Sequence, residues 1–454
     1  MFSEFDNIAN LTVGNEQHSF EELYEWILER KRKQFVSIKL DTLANCSPWY
    51  YDQDEGTIRN TRGSFFRIAG LRGEYPDGSY LEQPIIVQKE IGFLGIICKK
   101  IKGTWHFLMQ AKIEPGNINY VQISPTIQAT KSNFTRQHGG KEPPYLSYFT
   151  HMDPKDILVD QIQSEQSSRF WGKRNRNVIV KTDDDIEETD SHKWMTLNQL
   201  RMFMMMDNFI NMDTRTVLSC IPYVFMTDTL VGYSPSFIDS IRKINREAVI
   251  DIYTRENDYK MFHAPQISFV PLAELSEWEM LDREMIHKER FPFKVVYCNL
   301  QIEGREVSKW NQPLFAALGD ATFGLICSKS SGVLEVLVQM KPEIGCFDFI
   351  ELGPSVQEEY MSISKRDCVA EKFFTAIENK DNIVIDVMLS EEGGRFYREQ
   401  NRNVIVQVNK EEIKYDADRY VWVSIGTLNA MNQINNCLNI QLRNLLMLLS
   451  MYCK

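Results

Sequence analysis

NRNVIV at residues 175–180 returns unchanged as NRNVIV at residues 401–406, and this repeated hexapeptide decides how the chain is interpreted. A run of β-branched residues after a polar triplet indicates a β-strand in each place. Self-similarity at a fixed spacing is the mark of a duplicated architecture. The chain is therefore predicted to contain the same structural unit twice.

Matching segments continue on both sides of the hexapeptide. Upstream, four pairs share one offset of 229 residues: QP at 83–84 and 312–313, GIIC at 95–98 and GLIC at 324–327, QAKIEPG at 110–116 and QMKPEIG at 339–345, SPTIQ at 124–128 and GPSVQ at 353–357. Downstream, Trp194 corresponds to Trp422 and Asn211 to Asn439. Small changes of offset are expected where insertions collect in loops. Residues near 35–220 and near 269–450 are thus two diverged copies of one unit.

Each copy is predicted to be an α+β unit, a mixed sheet with flanking helices. Strands are predicted where β-branched and aromatic residues concentrate, at 83–98, 104–109, 120–123 and 177–180, and Lys102-Gly103 separates the first two as a strand pair or hairpin. Helices are predicted at 155–166 from near-helical apolar spacing, and from a Thr196 cap to about residue 220, with Ser424 capping the second copy's equivalent. A first helix is predicted at 19–30, where Ser19 and Glu22 match a capping box.

The predicted domains are residues 1–220, a connecting helical segment at 221–268, and residues 269–454. The connecting segment contains helix-like stretches such as 237–246 and shows no bias towards glycine and serine. Flexible linkers are rich in those two residues. We therefore expect the two copies to pack against each other.

Composition limits the possible functions. A net charge of -11 and a pI near 5.3 argue against a general nucleic-acid binder, because phosphate backbones require a basic surface. No apolar run approaches the roughly 20 residues that cross a bilayer, and the N-terminal residues do not resemble a secretory signal. The nine cysteines are scattered without metal-site spacing. We expect a cytoplasmic protein with reduced, buried thiols.

Short polar residues are unusually dense between residues 110 and 133. In a strand alternate residues share a face, so several of these side chains can line one surface if Pro125 does not break the register. The alternative is an exposed amphipathic strand with a turn at 114–116. The candidate site residues are Lys112, Glu114, Asn117, Ser124, Thr126, Gln128 and Asn133, with Lys341, Glu343, Ser355 and Gln357 in the second copy. Gly116 permits close backbone approach to a ligand or a tight turn.

A second cluster is basic. Arg169, Arg174 and Arg176 precede or enter the repeated strand, and Arg395 and Arg402 are their counterparts. Arginine forks match phosphate oxygens, which predicts a diphosphate site at a helix-to-strand junction. The alternative is a helix end whose charges suit the helix dipole.

The remaining polar groups offer little for catalysis. The acidic run at 183–188 is more typical of a solvated hairpin tip than of a metal site, and no metal is expected. His138 lies in a polar loop and is a candidate acid or base, whereas His106 lies within a predicted strand. The motifs of serine hydrolases, P-loop NTPases and dinucleotide-binding proteins are absent from the sequence.

Residues 107–117 (FLMQAKIEPGN) and 122–130 (QISPTIQAT) resemble the signature of the nucleotide-hexose 2,3-dehydratases, as do Ser132-Asn133, Arg169-Phe170 and 175–177. The resemblance extends over nearly the whole chain. It implies a tandem pair of Nudix-like units packed as a pseudo-dimer. The Gly-led Arg-Glu-x-x-Glu-Glu helix of Nudix hydrolases is missing, so hydrolysis is not implied.

The resemblance also implies the substrate and the reaction. The substrate would be a nucleoside-diphosphate 4-keto-6-deoxyhexose, losing water across carbons 2 and 3 by β-elimination in deoxysugar biosynthesis. No cofactor is required, because the ketone serves as the electron sink. A homodimer is expected, and a 3-ketoreductase would act next on the unstable product.

The chemistry suggests roles for individual residues. Glu114 would be the base, Lys112 the partner of the enolate or leaving group, and His138 a reserve acid. The second copy departs from the motif at Ile344, Cys346 and Gly353, so the first copy is predicted to be the main active site and the second a structural or vestigial pocket. The alternatives are a non-catalytic nucleotide-sugar binding protein and a repeat scaffold.

Overall fold

A computed structural model describes residues 15–63, 65–130, 143–222, 235–303, 307–330, 332–361 and 365–450. The first copy begins with helix α1 (Phe20–Lys33) and contains the short helix α2 (Ser147–Thr150), α3 (Leu197–Met204) and α4 (Met212–Ser219). Its strands are β1 (Val36–Asp41), β2 (Trp49–Asp52), β3 (Thr57–Asn60), β4 (Arg67–Glu74), β5 (Tyr80–Val87), β6 (Gly92–Ile101), β7 (Thr104–Ile113), β8 (Val121–Ser124), β9 (Ile127–Ala129), β10 (Ile157–Ser164), β11 (Arg174–Lys181) and β12 (His192–Thr196).

The second copy repeats this order. Helix α5 (Pro235–Arg242) precedes α6 (Arg246–Phe262), which occupies the place of α1; α7 (Cys368–Asn379), α8 (Ile425–Met431) and α9 (Ile440–Leu449) follow. The strands are β13 (Gln266–Val270), β14 (Trp278–Met280), β15 (Glu284–His287), β16 (Phe293–Ile302), β17 (Lys309–Ala317), β18 (Thr322–Ser330), β19 (Val333–Pro342), β20 (Ile350–Gly353), β21 (Val356–Glu358), β22 (Ile383–Ser390), β23 (Gln400–Gln407) and β24 (Tyr420–Ser424).

Each copy contributes one seven-stranded mixed sheet. The first follows the order β10-β11-β6-β7-β12, with β8 on β7 and β9 on β6; the second has the equivalent strands in the equivalent places. In both sheets the repeated hexapeptide strand runs parallel to its inner neighbour, β11 to β6 and β23 to β18. The matching topologies confirm the predicted α+β class and the duplication.

The two five-stranded sheets exchange strands between the copies. Strand β1 pairs with β16 in register Val36↔Ile302, and β13 pairs with β4 in register Gln266↔Glu74. The first strand of each copy is therefore hydrogen-bonded into the sheet of the other. This exchange makes the packing of the copies part of each sheet.

Several sequence predictions are confirmed. Ser19 and Glu22 form the capping box of α1, and Lys102 and Gly103 turn between β6 and β7 with positive φ. His106 is fully buried in β7. Among the described residues, no helix is long and apolar enough to span a membrane.

The helix predicted at 155–166 is wrong, because the chain forms strand β10 there. Its burial alternates with a period of two, with Val159, Gln161 and Gln163 buried, and it pairs with β11 in register Asp160↔Val178. The scattered apolar residues fit both the helical period and the strand period of two, and pairing with β11 selects the strand.

The single long helix predicted after Thr196 is also wrong. Thr196 does cap α3, and Ser424 caps α8, but each helix ends early and a second helix starts from an asparagine cap. Asn208, in the break, has a φ of 59°, a left-handed conformation that a helix cannot contain. The helix predicted at 237–246 divides in the same way, since α5 ends at Arg242 and Asn245 caps α6.

Two glycines bring the backbones of the two copies into direct contact. The Gly116 N–H donates to the carbonyl of Gly393 over 2.7 Å, and the Gly345 N–H donates to the carbonyl of Ser167 over 3.1 Å. A methyl group on Gly116 would lie 1.6 Å from the Phe396 carbonyl oxygen. Gly116 therefore serves close approach, as predicted, but its neighbour is the other copy.

Candidate active site

The Lys-x-Glu motif lies at the end of β7, where that strand leaves its sheet. The Lys112 Nζ lies 3.4 Å from the Glu114 Oε1, and the two side chains are 15% and 4% exposed. Alternation along the strand points residues 112 and 114 to the same side. A lysine and a carboxylate thus meet in a nearly enclosed place, which is the arrangement that proton transfer requires.

A chain of amides holds the Glu114 carboxylate. Gln128 donates its Nε2 to Glu114 Oε1 over 2.9 Å, and Asn211 donates its Nδ2 to Gln128 Oε1 over 3.2 Å and to the Ser124 hydroxyl over 2.8 Å. Asn211 is itself fixed as the N-cap of α4, through its bond with the Thr214 N–H. Lys112 and Gln128 both contact Oε1 of Glu114. The contacts that orient this carboxylate therefore leave Oε2 to accept a proton.

The enclosed space around Lys112 and Glu114 is the first pocket, and the second copy supplies its opposite wall. A methyl group on Gly393 would lie 2.5 Å from the Asn117 Oδ1 and 2.8 Å from the Glu114 Cβ, so the loop at 391–399 packs directly on the motif. The neighbouring Glu392 is only partly buried. Burial, followed by the nearby Glu114 carboxylate, raises the pKa of Glu392 above its ordinary value. The pocket is composite, with walls from both copies.

An equivalent pocket exists in the second copy. Gln357 donates to Glu343 Oε1 over 2.8 Å, and Asn439 donates to Gln357 over 3.0 Å. Burial raises the pKa of Glu343, against the lowering effect of Lys341. Here the opposite wall comes from the loop at 165–173 of the first copy, because Gly345 is hydrogen-bonded to Ser167.

Arg169 belongs to this second pocket, not to the first. It lies in the turn between β10 and β11, so the predicted helix-to-strand junction is wrong. Its guanidinium is 3.1 Å from Glu359 and 3.7 Å from Glu399, and 4.3 Å from the Phe293 ring centroid, with the side chain 2% exposed. Two carboxylates already occupy the position predicted for a diphosphate.

The other predicted arginines are dispersed. Arg174 stacks 3.7 Å from the ring centroid of Phe347, and Arg176 forms a two-pronged pair with Asp160 across the β10–β11 hairpin. Arg402 repeats the second arrangement with Asp386. The single basic cluster suggested by the sequence is not formed, because each of these guanidinium groups contacts a different partner.

Arg395 is the arginine whose loop reaches the first pocket. Its guanidinium meets Gln88 Oε1 at 3.2 Å and lies 4.4 Å from the Phe66 ring centroid. Its positive charge also lowers the pKa of Glu392, against the raising effect of burial. Lys173, also buried, occupies the position where the second copy has Glu399.

The hydroxyls predicted to bind substrate at Thr126 and Ser355 have structural partners instead. Thr126 accepts from the Ile97 N–H at 3.0 Å and donates to the Leu108 carbonyl. Ser355 bridges the equivalent strands β18 and β19. Pro125 does break the register, so β8 pairs with β7 while β9 pairs with β6. The hydroxyl fills the gap where the two strands separate.

Sequence reasoning missed Asn211, Asp213 and Glu392. The pairing of Asn211 with Asn439 across the copies was a usable signal for the first. Asp213 is buried, and burial together with Glu165 and Glu114 raises its pKa well above the ordinary value. Nothing in the local sequence indicates that Asp213 or Glu392 should approach Glu114, since the contacts span distant segments.

Two predicted residues, His138 and Asn133, lie outside the described residues. Within the described residues no group of histidine, cysteine, aspartate and glutamate side chains is arranged to hold a metal ion.

Comparison with known proteins agrees with this geometry. A family model described as NDP-hexose 2,3-dehydratase matches residues 20–221 and 248–449, once for each copy. Three relatives bear the name dTDP-4-dehydro-6-deoxy-alpha-D-glucopyranose 2,3-dehydratase. They come from Saccharopolyspora spinosa (33% identity; 93% of this chain and 90% of the relative), Amycolatopsis orientalis (34%; 97% and 92%) and Streptomyces violaceoruber (34%; 93% and 95%). The paired family match and this near-complete coverage show that the chain belongs to the NDP-hexose 2,3-dehydratase family.

Proposed function

We propose that this protein is a hydro-lyase that removes water across carbons 2 and 3 of a dTDP-linked 4-keto-6-deoxyhexose, in deoxysugar biosynthesis. The nucleotide comes from the names of the three relatives. The observation that carries the proposal is the Lys112–Glu114 pair, held by Gln128 in a pocket that is nearly closed to solvent. Such a pair suits abstraction of a proton that a neighbouring ketone has acidified.

The reaction follows from the groups present. Glu114 takes the proton from carbon 3, and the electrons pass towards the oxygen on carbon 4, where the Lys112 ammonium stabilises the developing negative charge. The hydroxyl on carbon 2 then leaves with a proton as water. Tautomerisation of the resulting enol at carbon 3 gives a 3,4-diketone. Asn117, Ser124 and Gln128 position the sugar or Glu114; His138 and Asn133 keep their predicted roles as reserve acid and substrate contact.

The first pocket is the proposed active site. In the second, Arg169 is already paired with Glu359 and Glu399, so an entering diphosphate would have to displace both side chains, of which Glu359 is partly buried and Glu399 is buried. The displaced acidic side chains would lose the cation that they contact, which disfavours that exchange. In the first pocket, Arg395 and Lys173 hold the corresponding places, and we assign the diphosphate contact to them.

Further features of the protein belong to the same proposal. We assign a Nudix-like ancestry to the repeated unit and a pseudo-dimeric arrangement to the two copies, which the reciprocal contacts of Gly116 and Gly345 support. The boundaries 1–220, 221–268 and 269–454 remain our prediction for the domains. A cytoplasmic homodimer, followed by a 3-ketoreductase that consumes the unstable diketone, completes the proposed setting.

Incubation with a dTDP-4-keto-6-deoxyhexose tests the activity. The expected result is loss of one water molecule per sugar, detected by mass spectrometry after trapping the diketone with a 1,2-diamine. Binding of the nucleotide sugar without any loss of water would instead favour a non-catalytic binding protein. An absence of both binding and turnover would leave only the scaffold interpretation and overturn the proposal.

A further inference from the structure

The elimination needs an acid for the departing hydroxyl, and the first copy brings one carboxyl group, Asp213, near Glu114, but that side chain is buried within α4. The ammonium of Lys112 is committed to the enolate side of the reaction in the scheme above. His192 is buried and bonded to the Thr126 carbonyl, and burial lowers its pKa to about 4, so it is neutral at the pH of the reaction. A partly exposed carboxyl group on the opposite wall is the better-placed donor.

The opposite wall contains a carboxyl group in a suitable place. Gly393 packs on the Cβ of Glu114 and on the Asn117 amide, and Glu392 immediately precedes it. The Gly394 N–H donates to Glu392 Oε1 over 3.1 Å, which orients the carboxyl group. Glu392 is partly exposed, whereas Glu391 and Glu399 in the same loop are buried. Glu392 is thus the partly exposed glutamate among these three residues of the loop.

We propose that Glu392, which the second copy contributes, is the general acid of the first-copy active site and protonates the hydroxyl that leaves carbon 2. This inference rests on the proposed function. In the step, the bond between carbon 2 and oxygen breaks and its electrons stay on oxygen. The Glu392 proton joins that oxygen to form water, and the electrons released from the carbon 3–hydrogen bond form the double bond. Glu392 ends as a carboxylate and Glu114 as a carboxylic acid.

The charges around Glu392 favour this role. The groups near it are Glu114, Lys112, Asp213, Glu165, Lys173 and Arg395. Burial and the like charge of Glu114 favour the protonated form of Glu392, while Arg395 and Lys112 oppose that effect. Two neighbouring carboxyl groups in one site naturally divide into one acid and one base.

The other pocket offers a natural comparison. The residue that corresponds to Glu392 in the loop at 165–173 is Gln166, which cannot donate a carboxylic proton. The additional acidic residue of that pocket, Glu359, is paired with Arg169 at 3.1 Å. The proposed acid, Glu392, is therefore present in the first pocket, and an amide, Gln166, stands at the corresponding position in the second pocket.

The decisive experiment separates the base step from the departure of the hydroxyl. Glu392→Gln is incubated with the 4-keto nucleotide sugar in D₂O, and both water loss and exchange of the carbon 3 hydrogen are followed. We expect water loss to fall at least about 100-fold, while exchange at carbon 3 persists. Glu412→Gln, which removes a surface carboxylate paired with Lys372, is the control and should behave as the unmodified enzyme.

A substrate with fluorine in place of the carbon 2 hydroxyl gives an independent test. Fluoride leaves without a proton, so Glu392→Gln should eliminate fluoride within about threefold of the unmodified enzyme's rate. The unmodified enzyme should also lose the alkaline limb of its kcat profile with this substrate, a measurement that requires no variant to fold. Glu392→Asp, which keeps a carboxyl group, should retain more water loss than Glu392→Gln.

Three results would overturn the assignment: unchanged water loss in Glu392→Gln, loss of carbon 3 exchange together with water loss, or an alkaline limb that persists with the fluorinated substrate. Failure of the unmodified enzyme to dehydrate the natural class of substrate would instead refute the proposed function itself. The two kinds of failure are therefore distinct.

Discussion

Gln128 donates its amide N–H to Oε1 of Glu114 over 2.9 Å, and the corresponding Gln357 donates to Oε1 of Glu343 over 2.8 Å. The same contact thus survives in both copies, although the residues around it have diverged. In the first copy the carboxylate also meets Lys112 and faces the loop that contains Glu392. Identical local geometry therefore serves two pockets with different surroundings.

Removal of the base should distinguish these pockets. Glu114→Gln keeps the shape of the side chain but cannot accept the proton from carbon 3, so kcat should fall at least about 100-fold. Glu343→Gln is the matched control and should retain turnover within a fewfold. Steady-state rates of the two variants provide the measurement. Equal activities would show that Glu114 is not the base.

Loss of the hydrogen bond from Gln128 to Glu114 should change kcat more than KM. Gln128→Ala removes a hydrogen bond to a carboxylate, an interaction of about 1.5–3 kcal/mol, so kcat should fall roughly 10- to 100-fold while KM changes little. Gln357→Ala makes the same change in the second pocket and should leave kcat unaltered. A rise in KM at constant kcat would show that Gln128 binds the substrate instead of orienting Glu114.

The stability of the protein should be sensitive to substitution of Gly116, where the two copies are in contact. A methyl group there meets the Phe396 carbonyl oxygen at 1.6 Å, so Gly116→Ala must displace backbone and should lower the free energy of unfolding by about 2–3 kcal/mol or more. Gly103→Ala is the control, since Gly103 has a positive φ but no atom within 4 Å of the added carbon. That variant should lose only about 1–2 kcal/mol from backbone strain. Denaturant unfolding compares the two, and equal losses would contradict the close packing.

Stability should decrease with rising pH through Glu165. Burial, with the nearby Glu392 carboxyl group, raises the pKa of Glu165 from 4.5 to about 7, so the folded protein holds a proton that the unfolded chain has released. Folding therefore loses stability as pH rises from about 4.5 to about 7. Glu165→Gln, which has no such proton, should flatten the fall in melting temperature over this window.

The size of that change can be bounded. Each unit of pKa shift corresponds to about 1.4 kcal/mol, so Glu165→Gln should remove at least about 1 kcal/mol of the pH-dependent loss. Glu412→Gln is the control, because Glu412 is exposed and its pKa is lowered by Lys372. If the melting temperature of Glu165→Gln falls with pH as steeply as that of the unmodified protein, a group other than Glu165 causes the pH dependence.

Much of the fold could be predicted because its signals are local. The capping box of Ser19 and Glu22, the turn at Lys102-Gly103 and the repeated strand at 175–180 each depend on residues close together in the chain. The prediction was wrong at 155–166, where the apolar spacing fits two periods and only pairing with β11 selects the strand.

The sequence by itself determined the duplication, the family and the Lys112–Glu114 motif, because each is written in contiguous or regularly repeated residues. Only the tertiary structure decided which side chains meet. It pairs Arg169 with Glu359 and Glu399, uses Thr126 to bridge two strands, and brings the Glu392 loop onto Glu114. Thr126 joins strands that are close in the sequence, whereas the contacts of Arg169 and Glu114 join segments that are far apart. Their geometry follows from strand exchange and from the packing of one copy on the other, which no local pattern encodes.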